Sequence, residues 1–299
     1  MKRTCRCLAA AAILFPVMLL SGCSILPTTR KLPVPKAPMV TQTLAPDELV
    51  ARLNQRWPAL DSLTATVDMQ ASHIKKKEGI AKGSPTIHGH ILMRKPEMLR
   101  VFGSYFGIRA VDLSGDGNQF MMYYRLPSGS KVVKGFYAVK KKLDNPLENL
   151  RPGFFFDALI VRGLDPDDLY AVTADTITVE DAPRKHFDLV PEYILSISRR
   201  KPGSQQLKPV RVVTFHRDDL LPYQQDIYDS EGNLETQVFY SAYQDFGTSK
   251  YPARVIVKRP LEELEIVLSV DNVTQDVSLT DDQFVIHSIP EGTPVQNLE

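Results

Sequence analysis

Few residues of this chain stand at spacings that could do chemistry. His88 and His90 lie two apart in an alternating stretch, so both would face one side of a strand and could bind a metal with a third ligand. The sequence shows no third ligand at a matching spacing, and solvent-facing histidines are the simpler interpretation. Ser128 and Lys131 match the S-x-x-K spacing of a nucleophile and its base, but a polar turn explains both residues.

The run that starts at Asp112 begins like a calcium-binding loop. Asp112, Ser114 and Asp116 stand at alternate positions before Gly117, which is the order of an EF-hand loop. The twelfth position should carry a bidentate acid, and it is Tyr123. GxSxG, HExxH, P-loop and paired-carboxylate motifs do not occur in the sequence. We therefore predict no catalytic residues, no metal site and no cofactor, and we expect a protein that is not an enzyme.

The chemistry predicted near the N-terminus is lipidation. A basic start precedes an apolar segment of 13 residues, Leu8 to Leu20, which has the length of a signal-peptide core and is too short to span a membrane. Leu20-Ser21-Gly22-Cys23 then resembles the lipobox of bacterial lipoproteins, in which the cysteine is acylated and becomes the first mature residue. An ordinary signal peptide with an unrelated cysteine is the alternative. Since Ser24 follows Cys23, the enterobacterial sorting rule implies the outer membrane, facing the periplasm.

The cysteine count excludes thiol chemistry in the mature chain. Cys5 and Cys7 would leave with residues 1–22 and Cys23 would carry lipid, so no free thiol would remain for disulfides, zinc or nucleophilic catalysis. The formal charge would change from +1 to −2, because three basic residues leave with the signal segment. A near-neutral chain offers no basic field for nucleic acid, and we predict no nucleic-acid partner.

Beyond the signal segment the sequence predicts a tether and one domain. Residues 23–44 contain the lipidated cysteine and four prolines, and a proline-rich chain extends at roughly 3 Å per residue. Residues 45–299 contain no second linker, which favours one domain. An amphipathic helix opens it, with Leu49, Leu53 and Trp57 at positions i, i+4 and i+8. This stripe is expected to lie on a sheet, with Trp57 in the core.

Alternating apolar residues predict that most of the domain is β-structure. Leu99 and Val101 form one such run, and Ile266 and Leu268 belong to another. Turn residues separate about a dozen runs of this kind, which is typical of an antiparallel meander. A sheet of that size must curl or close, because a long flat sheet leaves an unstable edge.

Two aromatic clusters stand out from this pattern. The hairpin connection Ser104-Tyr105-Phe106-Gly107 has two aromatic rings where a polar tip is usual, so either something covers them or they touch a partner. Phe154, Phe155 and Phe156 are consecutive on a predicted helix and cannot all face one side of it. Some of them must therefore contact a second surface or a ligand.

From Ala45 to Val295 the succession of elements resembles the lipoprotein-localisation carriers LolA and LolB. A helix is followed by strands around Lys95-Pro96, a Gly115-Asp116-Gly117 hairpin, a second helix and a long meander. The end, Pro290-Glu291-Gly292 to Val295, is similar to the tail of LolA. The resemblance implies a mainly β fold with a few helices (α+β). One large, strongly curved antiparallel sheet would form an incomplete barrel, with helices covering its open side.

Two details favour the LolB side of this resemblance. The chain carries its own lipobox, and Phe106 falls where LolB projects one apolar residue from a loop, which implies a membrane-insertion loop at Tyr105 and Phe106. Two departures stand against them. Lys95 replaces the arginine that the carrier has before the proline, and the second half of the chain is longer than in either protein.

The resemblance implies an outer-membrane lipoprotein that binds acyl chains of lipids or lipoproteins in an apolar cavity and helps to receive or insert them. Its partners would be that lipid or lipoprotein, the membrane through the anchor, and a periplasmic carrier protein. The helix Phe154–Ile160 would be a movable lid. The expected cavity and lid residues are Leu99, Val101, Met122, Phe154, Phe155, Phe156, Leu159, Ile266 and Leu268.

A lipid-anchored scaffold of the cell envelope is the alternative. It would have the same fold with a closed core and would use its exposed aromatic residues to dock a protein. Alternating strands look the same whether side chains or a ligand fill the space between them. The sequence leaves both possibilities open.

Overall fold

The computed structural model describes residues 41–75, 80–126, 129–138, 143, 146–181, 186–247 and 249–298. The predicted signal segment, Cys23, most of the tether and Ser128 lie outside these residues, as does the side chain of Trp57. No helix in the described part of the chain is long and apolar enough to cross a membrane.

Strands dominate the described residues, which also form two α-helices. Helix α1 spans Pro46–Ala59 and helix α2 spans Pro152–Leu159, and short 3-10 turns occupy Pro146–Asn149 and Asp281–Phe284. The strands are β1 Ser62–Lys75, β2 Ile80–Gly83, β3 Ile87–Arg94, β4 Met98–Tyr105, β5 Ile108–Gly115, β6 Gln119–Leu126, β7 Gly129–Phe136, β8 Asp168–Asp181, β9 His186–Arg200, β10 Leu207–His216, β11 Pro222–Tyr228, β12 Leu234–Phe246, β13 Ser249–Arg259, β14 Leu264–Gln275 and β15 Val295–Leu298.

All of these strands belong to one sheet. Their order is β15-β7-β6-β5-β4-β3-β1-β14-β13-β12-β11-β10-β9-β8, with β2 paired on β1. Neighbours along the meanders are antiparallel, whereas the C-terminal β15 adds to β7 in parallel. The order ends at β15 and at β8, so the sheet does not close on itself. The predicted mainly β fold, with a few helices and one large open sheet, is confirmed.

The chain divides into two compact units. One unit includes the described residues 178–181 and 186–189, at the end of β8 and the start of β9, where His186 contacts Asp188 at 3.0 Å. The other unit comprises residues 38–177 and 190–299. The features below all lie in this larger unit.

The main core of the larger unit follows directly from the alternation along its strands. Leu99, Val101, Ile266 and Leu268 are at most 5% exposed, because one face of each strand turns inward. The helix α2 packs into the same core. Burial of this apolar surface is the main stabilising contribution to the fold.

A second core lies under helix α1. The apolar stripe of this helix packs on strands β9 and β10, as the i, i+4 spacing of Leu49 and Leu53 requires. The cluster consists of Leu49, Val50, Leu53, Tyr193, Leu195, Ile197, Val213, Phe215 and Leu220. The expected packing of the first helix on a sheet is therefore present.

Candidate functional site

An apolar cavity of about 410 Å³ lies within the main core, between strands β1, β3 to β6 and β14 and helix α2. This volume falls in the range of small-molecule sites. The walls are mostly carbon, with arginine side chains near one end. The lining residues are Met69, Ala71, Ser84, Pro85, Ile87, Val101, Tyr105, Ile108, Arg109, Ala110, Val111, Leu113, Met122, Tyr124, Arg125, Leu150, Phe155 and Ile266.

The structure divides the predicted cavity and lid residues into two groups. Val101, Met122, Phe155 and Ile266 line the cavity. The others are buried in the surrounding core, namely Leu99, Phe154, Phe156, Leu159 and Leu268. Of these, Leu159 also lines a second cavity beside helix α1. The interior is therefore hollow in one part and filled in another.

Close packing of helix α2 explains why the interior is filled near Leu99. Leu99 pairs with Gly115 across the β4–β5 ladder. A Cβ atom at Gly115 would lie 2.6 Å from Cγ of Pro152 and 2.0 Å from Oη of Tyr137, so only glycine lets the helix start come this close. Closer to the β4–β5 turn, neither Pro152 nor Tyr137 is among the lining residues, and the space there remains open as the cavity.

The C-terminal end of helix α2 is held by three hydrogen bonds from the sheet. The last carbonyls of a helix have no partner within it. Here the side chains of Gln225, Tyr240 and Tyr251 donate to the carbonyl oxygens of Asp157, Ala158 and Leu159, respectively, each at 2.8 Å. Burial raises the pKa of both tyrosines, which keeps them protonated donors. This end of the helix is therefore fixed to strands β11, β12 and β13.

Charged groups fix the outer side of the same helix. The carboxylate of Asp157 contacts Nε of Arg162 at 2.5 Å, and the Arg162 guanidinium lies 5.0 Å from the centre of the Phe156 ring. Burial raises the pKa of Asp157, while the positive charges of Arg162 and Arg211 act in the opposite direction. The Arg211 guanidinium is itself buried and donates to the carbonyl of Gly163 at 3.0 Å.

The predicted insertion loop is a tight hairpin turn at the mouth of the cavity. Tyr105 pairs with Ile108, so Phe106 and Gly107 form a two-residue turn with φ of 49° and 74°. The side chains of Tyr105, Phe106 and Ile108 are 42%, 87% and 53% exposed. The rings of Tyr105 and Phe106 lie 4.5 Å apart. Because Tyr105 and Ile108 also line the cavity, the apolar tip is continuous with the apolar interior.

The backbone at Phe106 is unfavourable for its residue type. Positions with positive φ in two-residue hairpin turns favour asparagine and glycine, because a larger side chain crowds the backbone there. Phe106 places the most exposed of the large apolar residues in the described part of the chain at this position. An exposed ring in a conformation that its side chain disfavours points to a role outside the stability of the fold.

Buried charges anchor the strands behind this tip. Asp112 is completely buried and accepts two hydrogen bonds of 3.0 Å from Arg100. Arg109 lies 3.5 Å from the same carboxylate and donates to the carbonyl of Ser288 at 2.7 Å. Arg109 and the exposed Arg125 also line the cavity, so its mouth carries two positive charges.

The sequence analysis also considered other residues as possible catalytic or metal-binding groups, and most of them have structural partners. Lys131 forms an ion pair of 2.9 Å with Glu148, which also accepts a hydrogen bond from Tyr124. Asp112 is bound by arginine, as described above, and Asp116 accepts hydrogen bonds from the backbone of its own turn. His88 and His90 lie exposed on β3.

Sequence reasoning missed most of the cavity wall. Met69 and Ala71 on β1 and Val111 and Leu113 on β5 line it together with residues of the predicted set. Their alternation was a usable signal for an inward face. The tyrosines that hold α2 lacked such a signal, because they act on a helix more than 80 residues away in sequence.

Comparison with known proteins identifies the fold. No protein-family model matches the chain, and no curated protein matches its sequence. Among solved structures, a DUF1329 family protein from Desulfovibrio piger ATCC 29098 is similar with a TM-score of 0.50 and 17% identity, over 80% of this chain and 95% of that one. A LolA superfamily protein from Nitrosomonas europaea has a TM-score of 0.48 and 14% identity, over 82% and 99%.

These similarities concern the fold alone. What the chain binds has to be argued from its own cavity and surface.

Proposed function

We propose that the protein binds acyl chains of lipids or lipoproteins in the cavity and passes them to or from a membrane at the β4–β5 hairpin. One observation carries the proposal, namely that the apolar cavity opens beside an exposed apolar tip made of Tyr105, Phe106 and Ile108. Each methylene that moves from water into such a cavity contributes about 0.8 kcal/mol.

The arrangement at the mouth suits an amphipathic ligand. An acyl chain would lie against Val101, Met122 and Ile266. A polar or anionic headgroup would remain at the rim, where Arg109 and Arg125 provide positive charge. Phosphate and carboxylate groups pair well with guanidinium groups.

The hairpin tip provides the contact with the membrane. Phe106 is 87% exposed, so nearly all of its ring is available for burial among acyl chains. Burial of a phenylalanine side chain contributes about 1.5–3 kcal/mol, which is too little for stable attachment by itself. A lipid anchor at Cys23 would hold the tip near the bilayer, and the tip would then direct the cavity mouth to it.

Helix α2 forms the wall of the cavity in this mechanism through Phe155. Movement of the helix as a lid would break its three hydrogen bonds with Gln225, Tyr240 and Tyr251. Each such bond contributes about 0.5–1.5 kcal/mol net. We therefore propose that acyl chains enter at the hairpin mouth. Helix α2 would move as a lid only for ligands that are too large for the cavity.

The location and partners in this proposal follow from the N-terminus. The predicted lipidation of Cys23 and the serine after it support an outer-membrane lipoprotein that faces the periplasm. A soluble periplasmic carrier protein would deliver the lipid or lipoprotein. The proposal requires no cofactor, no nucleic acid and no catalytic step.

A lipid-anchored scaffold is the second candidate, and the filled part of the interior around Leu99 and Leu268 favours it. In that case Tyr105 and Phe106 would dock a protein and the cavity would have no ligand. The two functions differ in whether the hollow part of the interior is needed.

Filling the cavity distinguishes them. Ala71 lines the cavity opposite Ile266 in the β1–β14 ladder, so Ala71→Phe would occupy the space with carbon atoms. Ala174→Phe, on the exposed face of β8, is the matched control. We expect titration of the full chain with a fluorescent fatty acid to show binding by wild type and by the control, and at least tenfold weaker binding by Ala71→Phe. Equal binding by all three would refute the cavity as the site.

A further inference from the structure

A second group of side chains lies on the opposite face of the sheet from the cavity. Strand β1 belongs to the N-terminal meander and β14 to the C-terminal one, so the β1–β14 ladder joins the two halves of the sheet. Met69 and Ala71 of β1 face the cavity, and Asp68 between its inward neighbours therefore faces the other way. His88 of β3 pairs with Asp68 across the adjacent ladder.

We infer that Asp68, His88 and Asp271 form a binding site for a divalent transition-metal ion such as Zn²⁺. One ligand atom from each of the three side chains lies within 4.8 Å of the other two. Nδ1 of His88 lies 2.8 Å from Oδ1 of Asp68. The three residues come from three neighbouring strands, β1, β3 and β14.

A β-bulge supplies the third ligand. Val67 pairs with Val270 and Thr66 with Asn272, so Asp271 is the additional residue on β14. A bulge leaves its extra residue outside the regular pairing and changes the direction of its side chain. Val270 remains buried, whereas Asp271 is exposed. The bulge thus places a second carboxylate on the face that carries Asp68 and His88.

The donor atoms suit zinc. One imidazole nitrogen and two carboxylate oxygens bind Zn²⁺ at about 2.0–2.2 Å, which leaves a coordination position open. Ligand atoms around tetrahedral zinc lie about 3.4 Å apart, so small side-chain rotations would complete the site. Such rotations are available, because the side chains of His88 and Asp68 are 63% and 44% exposed.

His90 lies beside the three ligands, although it is not in the group whose ligand atoms lie within 4.8 Å of one another. It lies two residues after His88 on the same face of β3, with 6.3 Å between the centres of the two rings. Two imidazoles bound to one ion have ring centres about 5–6.5 Å apart, given a metal–nitrogen distance near 2.1 Å. The ring of His90 packs against Phe102 at 5.3 Å, which limits its orientations.

Other histidines provide an internal comparison. His287 also lies beside a carboxylate, with 3.4 Å between its Nε2 and Oδ1 of Asp282. Among the described residues, a third His, Cys, Asp or Glu ligand completes such a pair only at Asp68, His88 and Asp271. His287→Ala is therefore a matched control for a histidine–aspartate pair that should not hold zinc.

An ion at this site would connect the two halves of the sheet. It would bridge β3, β1 and β14, across the ladder that joins the two meanders. Because the three ligands meet only in the folded chain, zinc should stabilise the native state.

Isothermal titration of the purified full chain with ZnCl₂ tests the site. We expect one bound ion per chain, at least tenfold weaker binding in His88→Ala and Asp271→Asn, and unchanged binding in His287→Ala. We also expect zinc to raise the unfolding temperature of wild type more than that of the first two variants. Circular dichroism verifies that each variant is folded. The inference would be overturned if wild type does not bind zinc, or if His88→Ala and Asp271→Asn bind zinc as tightly as wild type does.

Discussion

Phe106→Asn separates the stability of the β4–β5 hairpin from its proposed contact with a membrane. Phe106 has a φ of 49° and precedes Gly107, whose φ is 74°. Asn-Gly is the most favourable pair for a turn with two positive φ angles, since the short polar side chain tolerates this conformation. The same substitution removes an aromatic ring that is 87% exposed. Fold stability and membrane affinity should therefore change in opposite directions.

The expected magnitudes follow from the geometry. Relief of the crowded backbone should raise the free energy of unfolding by about 1 kcal/mol. Loss of the ring should remove about 1.5–3 kcal/mol of transfer free energy, which corresponds to roughly 10- to 150-fold weaker partitioning into vesicles. Urea unfolding measures the first quantity. Co-sedimentation of residues 24–299 with phospholipid vesicles, without the predicted anchor, measures the second.

Two controls make the outcome specific. Phe106→Leu keeps an apolar tip and should partition nearly as well as wild type. Phe136→Asn removes a different exposed ring, 44% exposed on β7, and should leave partitioning unchanged. If Phe106→Asn binds vesicles as well as wild type does, the hairpin is not the membrane contact. If it destabilises the fold, the account of its backbone is wrong.

Two further predictions concern helix α2. Tyr251→Phe leaves the buried carbonyl of Leu159 without its hydrogen bond, so we expect the free energy of unfolding to fall by about 1–3 kcal/mol in urea titrations; an unchanged midpoint would contradict the role of this bond. Asp157→Asn tests the half-buried carboxyl, whose pKa is raised above its ordinary 3.8 by desolvation, against the opposing charges of Arg162 and Arg211. A raised folded-state pKa gives stability that is present below 3.8 and is lost as the pH rises through the folded-state value. We therefore expect the stability of wild type relative to Asp157→Asn to decrease as the pH rises above 3.8, as urea titrations at several pH values would show; a constant or increasing difference would contradict it.

Much of the fold was accessible from the sequence because its signals are local. Alternation in the run from Leu264 to Val270 predicts the inward face of β14, and the helix start at Pro46 matches α1. The aromatic tip could also be predicted, since Tyr105 and Phe106 occupy a hairpin connection, where polar residues are usual. Each of these features depends only on residues that are close together in the sequence.

The cavity could not be read from the sequence because it depends on contacts between distant segments. Leu99 and Val101 have the same pattern, yet one is packed and the other lines a hollow. The difference arises where Pro152 approaches Gly115. No periodicity in either strand reports that approach.

The same reason applies to the proposed zinc ligands and to the sheet order. Asp271 reaches His88 through a bulge that changes the pairing of β14 with β1. Strand β15 adds in parallel to β7, although a meander predicts antiparallel neighbours. Both features follow from long-range pairing, which local patterns do not encode.

Native mass spectrometry of the full chain, isolated from membranes in mild detergent, tests the central claim most directly. We expect a bound lipid or lipopeptide mass on wild type and its loss from Ala71→Phe, in which the cavity is filled. A chain that carries no lipid and also does not bind an added diacylated lipopeptide would contradict the cavity mechanism. The scaffold function would then be favoured over lipid binding, with Tyr105 and Phe106 as its docking residues.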